Sequence, residues 1–378
     1  MSGKRPWTVI AYIVADDSRE PALNQFAQDE LTALKNAGRD EDVRVISYVD
    51  FTGSNKSVRC VTDGSRGSTD EACESPPETN VATTAALRKF FTFARNNSPG
   101  NSRYAVVFWG HGAGPAGLFL DPSPTPPRSL SLPQVWQAFQ ALSLPIDVIL
   151  FKDCWVSTLE AAYEFDDVAE FIIAAQGLVP IPGVWPFREL FKRLKTAGDP
   201  LDRRSAATLL GPLEEHYENE DNRGRPSLDH VLFSVLDLTK AKGRLAAPLR
   251  ELVEALQVVS GQTRIASRKA MEKSGGGDPA LIDVRTVCAK LQTLNHPALA
   301  AKAKALDVVL ADLVVDQTDG TSGIPPSESL KGVSLFRRPN TMLSQSNFVT
   351  SVFLSNYQHL SLSGATGWTE IAFETALS

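Results

Sequence analysis

Two residues stand where a thiol and an imidazole could share chemistry. His111 follows the apolar run Tyr104–Trp109 (YAVVFW) inside Gly110-His111-Gly112, and Cys154 follows Ile146–Phe151 (IDVILF) after Lys152-Asp153. Each sits two or three residues past a strand-like run. In an open α/β sheet, that edge is where ligands bind. An imidazole beside a thiol can take its proton, and the thiolate is the nucleophile. Such settings bring a cysteine pKa from about 8.5 into the range of roughly 3.5–7.5. A helix is expected to begin near Trp155, and its N-terminus would assist. The flanking glycines permit close backbone approach, and the Gly112 N–H could donate to an oxyanion. Taken alone, either residue reads more simply as a packed core group. Together, on paired strand ends, they favour nucleophilic catalysis.

With five histidines and four cysteines in 378 residues, each can be weighed singly. His216, His230, His296 and His359 lack metal spacing with cysteine or another histidine, so no zinc site is expected. Residues Gly112 to Gly117 match GxGxxG, but Pro115 and the Pro-rich run after it deny the helix that a dinucleotide pyrophosphate needs. Neither GxSxG nor GxxxxGK[ST] occurs, which disfavours a serine hydrolase and a P-loop enzyme. The charged run Glu214–Arg225 reads as a solvated face.

The elements that must position these groups alternate in period. Trp7–Val14, Val43–Val49, Tyr104–Trp109, Ile146–Phe151 and Glu170–Ala175 read as buried strands. Helical spacing covers 21–37 (Leu23, Phe26, Leu31, Leu34), 80–96, about 131–142 and a segment ending near 165. That alternation predicts a mostly parallel sheet covered on both faces. Two segments break the rhythm. Residues 52–80 read as a long polar loop, which a Cys60–Cys73 pair could close, although free thiols are the expectation in a reducing cytosol. Residues 114–130 form an exposed Pro-rich connection. Beyond 200 the pattern is helical (240–258, 263–273, 283–293, 297–314), with Ser274–Gly277 as a flexible link. Strands at Val231–Leu236 and Val333–Phe336 return to the sheet. The expected domains are therefore a catalytic core over 1–200 and a mainly helical region over 201–378.

Composition sets the outer bounds. The chain is 43% hydrophobic and 22% charged, which excludes disorder and a membrane bundle. A net charge of −6 offers no electrostatic footprint for nucleic acid. Val9–Ala15 is broken by Asp16-Asp17, so it is not a signal-peptide core, and no run reaches bilayer length. A cytoplasmic protein with no membrane partner is the expectation.

The strand pairs YAVVFWGHG and IDVILFKDC resemble those of the clostripain family of cysteine peptidases, relatives of caspases, gingipains and legumain. WTVIAYIVADD resembles the family's opening strand and PGVWPF its Pro-Gly-x-Gly-Trp segment, while SLDHVLFSVLDLTK, the segment near Asp283, LKGVSLFRRP and Trp368 resemble its later landmarks in order. The resemblance implies a caspase-like α/β fold and a cysteine endopeptidase acting on a protein or peptide. In that reading His111 is the acid–base, Cys154 the nucleophile, and the N–H groups of Gly112 and Cys154 form the oxyanion hole. It assigns Lys152, Asp153, Gln176 and Trp185 to substrate binding. No cofactor is required, although family members can bind calcium and acidic loops are present here without an EF-hand pattern.

Three positions depart from the family pattern. Asp17 stands where Asn is usual, and Val184 replaces a glycine before Trp185. Most consequential is Lys152, where the family carries an Asp that accepts an Arg or Lys side chain. A cation there repels a basic side chain, so specificity for Arg or Lys is not expected. The side chain before the scissile bond is then expected to be acidic or neutral with Lys152 as a selector, unless Lys152 points to solvent or is paired to an acid outside the pocket. Asp153 reads either as a turn-orienting group or as a cap for the following helix. The stretch between the His and Cys strands has one basic site for self-cleavage, Arg128-Ser129, where cutting should fail if Lys152 excludes basic residues; another activation route and a regulatory partner or ligand are then expected. The competing reading is a caspase-like interaction domain without catalysis.

Overall fold

Apolar runs too short for a core helix and rich in β-branched residues pair side by side. The structure, a computed structural model, describes residues 5–17, 20–52, 57–64, 71–76, 80–121, 128–180, 183–218, 231–241, 243–275, 280–318, 330–337, 357 and 359–372. Its strands are β1 (Trp7–Ala15), β2 (Arg44–Phe51), β3 (Val58–Thr62), β4 (Glu71–Glu74), β5 (Arg103–Trp109), β6 (Leu118–Asp121), β7 (Arg128–Leu130), β8 (Ile146–Lys152), β9 (Ala169–Ala175), β10 (Phe233–Asp237), β11 (Leu281–Asp283), β12 (Val314–Gln317) and β13 (Ser334–Phe336). Nine of them form one sheet in the order β12-β10-β9-β8-β5-β1-β2-β3-β4. The five expected strands make its parallel centre, and the flanking strands run antiparallel. The fold is α/β, as the sequence implied.

Strand order reverses between β1 and β5, because β2 lies to one side of β1 while β5, β8 and β9 follow on the other. Such a switch point opens a crevice at the carboxyl ends of the strands. Alternation along each strand feeds two cores. Tyr12, Phe108 and Phe151 pack on one face with helices α2 (Thr84–Asn97) and α3 (Leu132–Leu142). Val9, Val107 and Leu150 face helix α1 (Ala22–Asp40) and the helix at Phe187–Thr196.

Several expectations need correction. The polar segment 52–80 contributes β3 and β4, and Cys60 and Cys73 are cross-strand partners joined in a disulfide. Pairing, invisible in a polar composition, is what brings the two sulfurs together. The helix expected near Trp155 is α4 (Leu159–Glu164), capped by the Thr158 side chain accepting from the Ala161 N–H. Part of the Pro-rich connection is ordered as the β6–β7 hairpin, which contains the Arg128-Ser129 bond. Residues 122–127, Gly276 and Gly277 lie outside the described residues. Among the described residues, no helix is long and apolar enough to cross a membrane.

The chain beyond residue 200 is tied to the sheet by buried polar contacts. β10 and β12 extend the main sheet, while β11 and β13 pair beside α4. Glu160 of α4 is buried and accepts from the Phe336 N–H at 2.9 Å and the Tyr357 hydroxyl at 3.1 Å. Burial outweighs these bonds and pushes its carboxyl up to about 7 from an ordinary 4.5. Between those values the native state binds more protons than the unfolded chain, so stability falls as pH rises from 4.5 to 7. The full difference is about 3 kcal/mol. Glu160→Gln, which mimics the protonated group, should therefore gain on wild type by about that amount between pH 4 and pH 8 in urea unfolding. An equal difference at both pH values would contradict the assignment.

Candidate functional site

The register of β1, β5 and β8 sets Ile13, Trp109 and Lys152 side by side at one edge of the sheet. His111 and Cys154 each lie two residues beyond that row, so two chains leaving adjacent parallel strands carry an imidazole and a thiol out together. Their backbones touch. A methyl group on Gly112 would lie 2.8 Å from Asp153 Cβ, 2.9 Å from Cys154 O and 3.0 Å from Cys154 N. Next along, Gly114 at φ +55° would bring a side chain within 2.6 Å of Trp155 O. Trp155 itself has φ 58°, a left-handed conformation that costs a bulky residue about 1–3 kcal/mol. Its N–H donates to Gly177 O at 2.9 Å, which ties the turn after β8 to the turn after β9.

His111 is 25% exposed, and its Nε2 lies 3.6 Å from Asp17 Oδ2 and 3.9 Å from Glu20 Oε2. Both separations are longer than hydrogen bonds. Asp17, just past β1, is buried and holds its carboxylate close. The half-buried Cys154 Sγ accepts from the Val179 N–H at 3.4 Å and approaches Val179 O at 3.9 Å. Burial pushes the Cys154 thiol up to about 11, helped by Asp153 and opposed by the Val179 N–H. The group at rest is a protonated thiol, and nucleophilic attack requires a base.

Asp153 is fully buried, and burial raises its carboxyl well above the usual range. It does not cap α4, whose cap is Thr158; its Cβ instead packs beneath Gly112. Lys152 points into the face shared with Trp185 and contacts Glu30 of α1. Its Nζ donates to both Glu30 oxygens at 3.1 Å and to Gly183 O at 2.8 Å. The indole rings of Trp109 and Trp185 lie 5.9 Å away. Burial pushes the ammonium down and the Glu30 carboxyl up, and each charge opposes the effect on the other.

Gln176 and Trp185, expected to bind substrate, are both engaged within the fold. The Gln176 amide donates to Asp283 and Ser334 and accepts from the Gly332 N–H, which makes it a strut to the C-terminal region. Trp185 is 1% exposed, donates to the Tyr217 hydroxyl at 2.9 Å, and backs the Lys152 pair. Glu30 was missed by sequence reasoning. A signal existed: with Ala27, Leu31 and Leu34 it falls on the buried stripe of α1, where a carboxylate requires a partner.

Asp17, Glu20 and His111 place one donor atom each within 4.8 Å of one another, the grouping at this site able to share a cation among the described residues. Two carboxylates and an imidazole do not fit calcium, which takes six to eight oxygens. Elsewhere, His216 is buried against Tyr217, and burial lowers it to about 4. His296 accepts from the Leu299 N–H at the start of a helix. His230 lies outside the described residues, and so does most of the charged run 214–225.

The family model for the clostripain family matches residues 11–371. A secreted C11 cysteine protease from Bacteroides thetaiotaomicron, solved with an irreversible peptide inhibitor, superposes with a TM-score of 0.66 at 18% identity, covering 96% of this chain and 99% of that one. A second structure from that organism, of a secreted C11 cysteine protease called iotapain, gives 0.68 at 15% identity over 96% and 99%. An inactive zymogen C11 protease from Parabacteroides distasonis gives 0.66 at 17% identity over 97% and 99%. At such identities these structures speak for the fold. Comparison with curated proteins finds no match.

Proposed function

The chain belongs to the clostripain family and is a cysteine peptidase, a hydrolase, and we propose that His111 and Cys154 are its catalytic pair. The observation that carries this reading is the backbone contact between Gly112 and Asp153-Cys154 at the switch-point edge. His111 takes the Cys154 proton as the sulfur attacks the substrate carbonyl. The Gly112 and Cys154 N–H groups receive the developing oxyanion. Asp17, 3.6 Å from Nε2, stabilises the imidazolium so formed. That proton passes to the leaving amine, which leaves a thioester. Water then attacks with His111 as base, and acid and thiol are released.

Protein or peptide is the substrate class. Specificity for Arg or Lys is disfavoured, because the residue two before the nucleophile is a lysine bound to Glu30. The Cys60–Cys73 disulfide supports an oxidising compartment in place of the cytoplasm expected from sequence.

The test is digestion of an unbiased peptide pool read by mass spectrometry, with Cys154→Ala and His111→Ala as blanks, alongside iodoacetamide labelling of Cys154 near neutral pH. Wild type should cut the pool, the variants should not, and His111→Ala should slow labelling. Cleavage surviving Cys154→Ala removes the assignment. An uncut pool with an inert thiol points to the interaction domain.

A further inference from the structure

Lys152 ends β8, and Cys154 lies two residues on, in the turn that follows. Both pack on the face that holds Trp185, and one segment borders both. Val179 meets the Cys154 sulfur, and Gly183 O meets the Lys152 ammonium. The ammonium and the sulfur are therefore neighbours along one wall, which the stretch from Val179 to Gly183 borders at both ends. Its surroundings form a complete receptor for a primary ammonium: two carboxylate oxygens, one carbonyl and two indole rings. The side chain is 1% exposed and its Glu30 partner 2%, so nothing from solvent reaches this receptor.

We propose that the recess beside Cys154 is an ammonium site filled by the chain's own Lys152, and that the Glu30–Lys152 pair thereby sets specificity for a small neutral side chain before the scissile bond. The inference rests on the peptidase reading above and extends it to the side chain selected. Glu30 cancels the charge of Lys152, so an acidic substrate side chain finds no free cation there. A basic one finds its carboxylate taken, and the four-carbon stem of Lys152 occupies the length that a long side chain would need. Lys152→Ala would leave Glu30, Gly183 O and the two indoles facing a lysine-shaped space.

Wild type requires no variant to be informative. In a peptide pool it should cut after Gly, Ala or Ser at least about tenfold better than after Asp, Glu, Lys or Arg. Preference for either charged class would overturn the proposal. Lys152→Ala should raise cleavage after Lys relative to Ala at least about tenfold, and Glu30→Gln/Lys152→Ala should lack that gain. A readout independent of activity is thermal unfolding in n-butylammonium chloride against equal sodium chloride. The midpoint should rise for Lys152→Ala alone. An equal response in wild type, single and double variants, or none in any, sinks the ammonium site. A shift confined to Lys152→Ala with no cleavage by any form would keep the site and remove the peptidase roles. Should Lys152→Ala fail to fold, the wild-type profile decides.

Discussion

Gly112→Ala should leave no more than about one per cent of wild-type kcat/KM. No positive φ requires glycine at this position, so the backbone itself would accept alanine. Space does not. The new methyl meets Asp153 Cβ at 2.8 Å, Cys154 O at 2.9 Å and Cys154 N at 3.0 Å. None of these atoms can rotate away, since two belong to the backbone and the third is fixed to it. The His111 segment and the Cys154 turn must therefore separate by several tenths of an ångström. A catalytic constellation tolerates only about 0.5 Å, and a shift near 1 Å costs about a hundredfold. The proposed oxyanion donors lie on the two backbones being pushed apart, so their loss compounds that of the His–Cys geometry. Overpacking of this kind also costs about 1–3 kcal/mol of stability, so activity should be normalised to folded protein by circular dichroism. Gly100→Ala, where nothing lies within 4 Å, is the control and should match wild type. Retention of a third or more of the activity by Gly112→Ala would show that the contact does not set the catalytic geometry.

The same contact shows what was legible in the sequence. Residues whose signal is local were readable: the apolar period of the five parallel strands, and His111 and Cys154 just past two of them. The partner of each side chain was not, because pairing across the fold leaves no trace in spacing. Lys152 was conspicuous as a cation beside a nucleophile, yet its role depends on Glu30, 122 positions away. Gln176 is assigned to substrate binding by resemblance alone. Its amide is consumed by Asp283, Ser334 and Gly332, which approach from the far end of the chain. Cys60 and Cys73 sat in a segment too polar to read as strands, although edge strands are commonly polar.

Glu30→Gln should destabilise the protein by about 3–5 kcal/mol at pH 7. The variant keeps an acceptor for the Trp185 N–H, which lies 3.2 Å from Glu30 Oε2, so the cost falls chiefly on the charge left behind. Lys152 would then be a buried ammonium with one carbonyl and a neutral amide for company. It has an escape, which is to lose its proton, and that caps the penalty. Deprotonating a lysine of ordinary pKa at pH 7 costs about 1.4 kcal/mol for each of roughly 3.4 pH units, close to 5 kcal/mol in all. The cap carries a signature. A folded-state pKa depressed below that of the unfolded chain means that the unfolded state binds the additional proton, so the variant gains stability as pH rises. Its deficit relative to wild type should shrink by up to about 1.4 kcal/mol per unit between pH 7 and pH 9 in urea unfolding. Glu30→Gln/Lys152→Met removes the stranded charge and should recover most of the loss at both pH values, because a buried pair exchanged for neutral groups of similar volume costs little. A deficit below about 1 kcal/mol, or one that does not change with pH, would mean that water reaches the Lys152 ammonium and that the pair does not close the recess beside Cys154.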